Sequence, residues 1–217
     1  MSFLRAGSVH PGWPELVGPL RVAAGVVRLR PVRMRDATQW SRLRLDDRPF
    51  LEPWEPTAEL EWNARHGISA WPSVCSAIRA EARRGRMLPY VIEVDGEFGG
   101  QLTIGNVTHG ALRSAWIGYW VHSALTGGGV ATGALALGLD HCFGAVRLHR
   151  VEATVRPENL ASRRVLAKAG FREEGLLKRY LDVDGGWRDH LLVGLTVEEI
   201  RGSVTAELVH AGRARWV

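Results

Sequence analysis

Apolar positions along the chain recur in two rhythms, an alternation of two and a helical spacing of three to four, and both begin near residue 26. Ahead of that point residues 1–25 are broken by Gly7, Pro11, Gly12, Pro14, Gly18 and Pro19, and are expected to be irregular. Val26–Arg30 (VVRLR) reads as a first strand that Pro31 ends. Asp36 is placed to cap a helix running to Leu45, with Trp40 and Leu43 on one face. Phe50–Pro56 (FLEPWEP) carries two prolines and is expected to lack regular structure. A second helix is predicted over Ser73–Arg86. After Pro89, YVIEVDGEFGGQLTIGNV predicts two strands joined by a tight turn at Asp95-Gly96. Ser114–His122 (SAWIGYWVH), long and free of carboxylates and lysines, reads as a central strand. Thr126–Gly129 (TGGG) then opens a helix of about fifteen residues from Val130, in which Gly133 and Gly138 weaken the helix unless close packing on a sheet compensates. His149–Val155 is a further strand. Asn159 starts a helix with Leu160, Val165 and Leu166 apolar and Gly170 as its C-terminal cap. Leu176–Val183 and His190–Val197, joined at Asp184-Gly185-Gly186, predict a hairpin. Residues 201–217 are polar and basic and read as a short helix or a mobile tail.

Hairpins and helical crossovers coexist in this order, which favours a mixed α+β sheet over a doubly wound one. The length of 217 residues suits one domain, taken as 26–197, with an irregular extension over 1–25 and a C-terminal tail over 198–217. A content of 46% hydrophobic and 24% charged residues excludes disorder and a coiled coil. The net charge of +5 fits an anionic ligand or a nucleoprotein partner, and equally an ordinary solubility charge. No basic run makes a nucleic-acid groove; the densest patch, Arg83, Arg84 and Arg86, belongs on a helix surface. Cys75 and Cys142 lie far apart with no partner motif, so neither a disulfide scaffold nor a zinc site is expected and a reducing compartment fits. With no leader and no apolar run near the length of a membrane span, a cytoplasmic protein is expected. Nine tryptophans against three tyrosines and five phenylalanines call for large apolar pockets or for core filling.

Chemistry enters at the glycines. Gly127, Gly128 and Gly129 sit between a strong strand and a strong helix, where a backbone without side chains can curve closely around a ligand. The N–H groups of Val130, Ala131 and Thr132 would point toward it with the positive end of the helix behind them, an arrangement that binds phosphate. GGGVAT lacks the Lys-Ser/Thr pair of a nucleotide-hydrolysing loop, and no acidic residue closes a following strand as a dinucleotide site requires. Asn159 and Ser162, three apart at a helix start, share one face. Asn159 there is either a ligand contact or simply the helix cap.

Three pieces, IGYWVHSALTGGGVATGAL, LHRVEATVRPENLASRRVLAKAGFREEG and YLDVDGGWRDHLLVGLT, stand in an order and spacing that resemble the GNAT acetyltransferases, most closely the subgroup that modifies ribosomal-protein N-termini. RLRPVRMRDA and FLEPWEP extend the resemblance over residues 26–197. It implies a central, mostly antiparallel sheet, splayed at the cofactor site and flanked by helices, with acetyl-CoA as cosubstrate and no metal. It implies that Trp120 and Val121 offer backbone groups to the pantetheine arm. Thr126, Gly127, Gly128, Gly129, Val130, Ala131 and Thr132 would form the pyrophosphate cradle. Asn159 resembles the pantetheine-contacting asparagine, and Ser162 stands where the nearest subgroup protonates the departing thiolate. Two departures stand out. The cradle normally opens with Gln or Arg and here has Thr126. A hairpin glutamate that holds a base-assisting water in a related type is matched by Leu181, and neighbouring Asp182 alternates to the other face.

The reaction so implied is direct attack of a neutral α-amine on the thioester, with a backbone N–H near Val121 polarising the carbonyl and Ser162 assisting the thiolate. Cys142 reads as buried packing rather than as an acyl carrier. Trp54, Glu55 and Tyr119 are the expected acceptor-site residues. Glu55, Glu52 and His122 are candidates for a water-mediated base, while Asp189 and His190 are expected to support the hairpin. The expected partner is a protein N-terminus, that of a ribosomal protein beginning with Ala or Ser, bound by a monomer or homodimer. A small amine is the alternative acceptor, favoured if the two acceptor loops close over the site, whereas an open groove favours protein N-termini. A non-catalytic acyl-CoA-binding module is the reading from another class.

Overall fold

The structure, a computed structural model, describes residues 12–217; the first part of the segment expected to be irregular lies outside the described residues. The strands are β1 (Val17–Val22), β2 (Gly25–Pro31), β3 (Met87–Val94), β4 (Glu97–Thr108), β5 (Ser114–Val121), β6 (Arg150–Val155), β7 (Arg172–Val183) and β8 (Gly186–Thr196). They form one sheet in the order β1-β2-β3-β4-β5-β6-β8-β7. Neighbours run antiparallel except β5 and β6. Asp95 (φ 51°) and Gly96 (φ 90°) make the tight turn predicted between β3 and β4.

The helices are α1 (Ala37–Asp46), α2 (Arg48–Leu51), α3 (Trp62–His66), α4 (Trp71–Arg83), α5 (Val130–Phe143), α6 (Leu160–Lys168) and α7 (Val204–His210). Strand alternation assigns them to two layers. On β4, a Cβ at Gly138 of α5 would stand 3.2 Å from Leu102, whereas Trp40 Nε1 of α1 donates to Gln101 on the opposite face. Helices α5 and α6 therefore cover one side and α1 the other. The small residues of α5 are what allow this approach: a Cβ at Gly133 would meet Val22 at 2.9 Å. The compensation that the sequence demanded for those two glycines is thus the contact with β1, β4 and β5.

Three readings of the sequence need correction. The segment taken as irregular up to residue 25 contains β1, with Leu20 and Val22 buried. It is an edge strand, and Gly18-Pro19 falls where its register shifts, a place that tolerates proline. FLEPWEP is not without regular structure: Phe50 and Leu51 end α2, and Pro53 sits in the first turn of a 3-10 turn over Glu52–Trp54, where the missing N–H costs nothing. Asp36 stands at the start of α1, but its carboxylate bonds Arg30 and the N–H of Arg33 instead of capping α1. Of the two alternatives for the tail the short helix holds: it is α7, capped by Ser203 and held by Asp140, which accepts from Val204 N at 2.7 Å and Thr205 N at 3.1 Å. The chain then pairs Arg215 with Arg21, covering the β1 edge and not the β7 hairpin.

Candidate active site

The parallel pair β5–β6 sets the position of the site. Its register holds only from Ser114–Arg150 to Trp116–Glu152; beyond it β5 continues on β4 and β6 continues on β8. Past that point the two strands are no longer paired with each other. His122 N–H donates to Gly99 O at 2.9 Å, so by the two-residue alternation the N–H of Val121 turns away from β4 into this gap. A cleft of about 150 Å³ fills the splay, lined by Ile117, Gly118 and Tyr119 of β5, Thr154 and Val155 of β6, and by Asn159 and Ser162.

The glycine loop lies at the end of β5. Gly127 and Gly129 have φ of 78° and 84°, a left-handed backbone that glycine adopts without strain. A Cβ at Gly128 would stand 2.5 Å from Ala24 Cβ, and Ala24 N–H donates to Gly128 O at 3.0 Å, so the loop is pinned against the β1–β2 turn. Among the described residues, no backbone carbonyl accepts from the N–H groups of residues 127–132 at hydrogen-bonding geometry; the first such bond is Gly133 to Gly129. Free N–H donors at the positive end of a fourteen-residue helix are an arrangement suited to an anion. Thr126 spends its hydroxyl on Ser123 O at 2.7 Å, closing the preceding turn.

Asn159 is the cap of α6, its Oδ1 accepting from Ser162 N at 3.0 Å, and this bond orients the first turn of the helix toward the splay. Ser162 Oγ then meets Tyr119 Oη at 3.0 Å. Burial pushes the Tyr119 phenol up to about 12. Tyr119, expected at the acceptor, has its hydroxyl on the α6 side of the sheet.

Comparison with known proteins bears directly on this geometry. The acetyltransferase (GNAT) domain family matches residues 27–172, which takes in the glycine loop, Asn159 and Ser162. The chain is a GNAT acetyltransferase. A solved structure of Mycobacterium smegmatis RimJ in complex with CoA-disulfide is 72% identical, with a TM-score of 0.95 over 96% of this chain and 100% of that one. The ribosomal-protein-S5-alanine acetyltransferase of Vibrio fischeri is 26% identical, with a TM-score of 0.71 over 78% and 92% of the two chains. The Escherichia coli ribosomal protein uS5-alanine N-acetyltransferase is 28% identical over 190 residues, 87% of this chain and 96% of its own length. The GNAT fold brings with it the general chemistry of acetyl transfer from acetyl-CoA. The glycine cradle, its free N–H groups and the splayed strand end fit that cosubstrate.

The face of the sheet opposite α6 is built on tryptophans in this GNAT chain. Arg44, 5% exposed, lies between the rings of Trp62 and Trp120 at 5.0 and 5.1 Å. Its Nη2 donates to Glu55 Oε1 at 2.8 Å and to His66 Nε2 at 2.7 Å. Trp54 packs under Arg156 at 5.3 Å, and Arg156 donates to Pro53 O at 3.0 Å. The loop then reaches the hairpin: Thr57 Oγ1 donates to Asp182 Oδ1 at 2.6 Å and accepts from Gly185 N at 2.9 Å. Trp54 lines the cleft; Glu55 is tied to Arg44, Glu52 to Arg48, and His122 lies 3.5 Å from Asp47. None of these three acidic or basic candidates lines the cleft. Leu181 is exposed on β7, and Asp182 is occupied by Thr57. Asp189 supports the hairpin as expected, holding Lys178 and Arg179 N. Cys142 is buried in α5, which pushes its thiol up, as a packing residue requires. His190 and Arg156 line the cleft without having been singled out for it. Arg156 follows directly on β6, whereas His190 is brought there by β8 running on beyond the end of β6, and no motif marks either.

Proposed function

We propose that this chain transfers acetyl from acetyl-CoA to the N-terminal α-amine of a protein, a ribosomal protein beginning with Ala or Ser, in the cytoplasm and without an acyl-enzyme. The observation that carries the reading is the cleft through the splay, which joins Ser162 on the α6 face to Trp54 on the opposite face. Relatives matched over nearly their whole length act on ribosomal-protein alanine, which supports the choice of acceptor. Bound in the cleft, acetyl-CoA supplies an acetyl group already activated as a thioester. The N–H groups of residues 127–132 hold the pyrophosphate, Thr126 shapes the loop, and the backbone of Trp120 and Val121 with the Asn159 amide holds the pantetheine. Val121 N–H polarises the carbonyl, and Ser162 gives its proton to the departing sulfur. Trp54 walls the acceptor entrance, with Glu55 fixed beside it by Arg44. An α-amine titrates near 8 against about 10.4 for lysine, so an N-terminal acceptor needs little help to lose its proton.

One observation favours a second reading. Thr57 fastens the acceptor loop to the hairpin tip, and a closed acceptor side suits a small amine; an extended protein N-terminus must enter it end-on. A thiol-release assay with acetyl-CoA separates the readings, using free-N-terminal peptides, the same peptides N-terminally blocked, and small amines. Release with Ala- and Ser-initiated peptides that blocking abolishes is the expected outcome. Turnover of small amines alone would assign a metabolite acetyltransferase, and acetyl-CoA binding with no turnover a non-catalytic module.

A further inference from the structure

The cleft holds one group whose chemistry remains unused. His190 lies on β8 just beyond the last β6–β8 pair, Val155 with Leu191. It is 5% exposed and lines the cleft with Trp54, Thr154 and Arg156. Alternation along β8 puts it on the face of Leu192, which pairs with Thr154, and opposite Leu191 and Val193, which lie under α6. Ser162 and Tyr119 occupy the α6 face. The imidazole thus stands across the sheet from the serine, on the side from which an acceptor arrives.

The ring has one fixed proton. His190 Nδ1 is 3.1 Å from Arg188 O, and because a carbonyl only accepts, Nδ1 carries the hydrogen. In the neutral ring Nε2 is then a bare lone pair. Among the described residues Nε2 has no hydrogen-bond partner, and it is not one of the buried atoms left unsatisfied. Tyr180 steadies the ring edge-on, with centroids 5.9 Å apart. A basic nitrogen open to a cleft, with the opposite nitrogen anchored by a carbonyl, is how a general base is built. The charged and titratable groups on its side of the cleft are Arg156 and, from β7, Tyr180.

We propose that His190 is the general base that takes the proton from the acceptor amine, an inference that rests on the acetyltransferase reading of this cleft. Nε2 takes one proton as the acceptor nitrogen bonds to the acetyl carbon. Ser162 gives one proton to sulfur, which keeps the electron pair of the broken carbon–sulfur bond. The imidazolium returns its proton through solvent to Ser162, and both side chains end as they began.

The test compares His190→Ala and His190→Gln with wild type on an α-amine peptide, with acetyl-CoA affinity measured by calorimetry and the ring nitrogens followed by NMR. His190→Ala should lose on the order of a hundredfold in kcat/KM with unchanged acetyl-CoA affinity, and added imidazole should restore its activity but not that of Ser162→Ala. His190→Gln should keep the wild-type melting temperature and stay slow, and wild type should show the Nδ1–H tautomer. Variants as active as wild type, an Nε2–H tautomer, or a loss that follows acetyl-CoA affinity and ignores imidazole would overturn the base. A wild type that acetylates no amine would overturn the proposed function as well, whereas an active wild type with active variants overturns His190 alone.

Discussion

At the scale of single residues, Tyr119 and Ser162 share a hydrogen bond in which either hydroxyl can donate. The phenolic proton has two oxygens in reach, Ser162 Oγ at 3.0 Å and Ser162 O at 3.5 Å, and the second lies outside the normal range for an O–H donor. When Tyr119 donates to Oγ, the proton of Ser162 is free for sulfur. Burial raises the phenol to about 12, so it remains a donor at physiological pH. Replacing Tyr119 by Phe should lower kcat by about tenfold, the value of one hydrogen bond, while Ser162→Ala costs more. The double variant should be no slower than Ser162→Ala alone. Independent, multiplying losses in that cycle would show that the two hydroxyls do not act together.

At the scale of elements, the acceptor loop is tied at three points: Glu55 to Arg44 of α1, Pro53 and Trp54 to Arg156 beyond β6, and Thr57 to the β7–β8 tip. Each tie joins it to a different element, so the loop is a strap across the acceptor side. Thr57 is the exposed tie, and its hydroxyl both donates to Asp182 and accepts from Gly185. Thr57→Val removes both bonds and keeps the shape of the side chain. The acceptor KM should rise roughly five- to tenfold and the preference for a small first residue should relax, with acetyl-CoA affinity unchanged. An unaltered ranking of first residues in a peptide panel would mean that the clasp has no part in selection.

For the whole molecule, the tryptophan layer on the acceptor face creates a dependence of stability on pH. His66 packs at 4.1 Å from Trp62 and 5.6 Å from Trp40, its Nδ1 donates to Trp62 O, and its Nε2 accepts from Arg44. Burial, with Arg44 and Arg65 adding to it, lowers its pKa from 6.5 to about 3. The unfolded chain takes up a proton at this residue near 6.5 and the folded chain does not, so stability falls as the pH drops from 6.5 toward 3. The melting temperature should decline through that window in wild type. His66→Gln, which can still accept from Arg44, should flatten that part of the curve. A profile unchanged by the substitution would place the acid sensitivity elsewhere.

The residues that determine local conformation spoke for themselves in the sequence. Asp95-Gly96, the glycines 127–129 and Asn159 act through their own backbone preferences or their nearest neighbours, and the turn, the glycine loop before α5 and the α6 cap stand where the spacing put them. The order of the motifs likewise sufficed for the family and for a splayed, mostly antiparallel sheet. Partners far along the chain decided the rest. β1 is a strand because Leu20 and Val22 find α5 and β2, which outweighs the Gly18 and Pro19 that argued against it. Glu55 is held by Arg44 instead of facing the cleft, and Asp182 is drawn to Thr57, 125 residues away. His190 had no local signal at all: a histidine in an alternating strand reads as a hairpin residue until the end of β6 is seen to leave its face open. Local preference is encoded over a few residues and can be read there. The position of a lone imidazole against a serine on the far side of a sheet depends on where two strands part, and that exists only once the chain is folded.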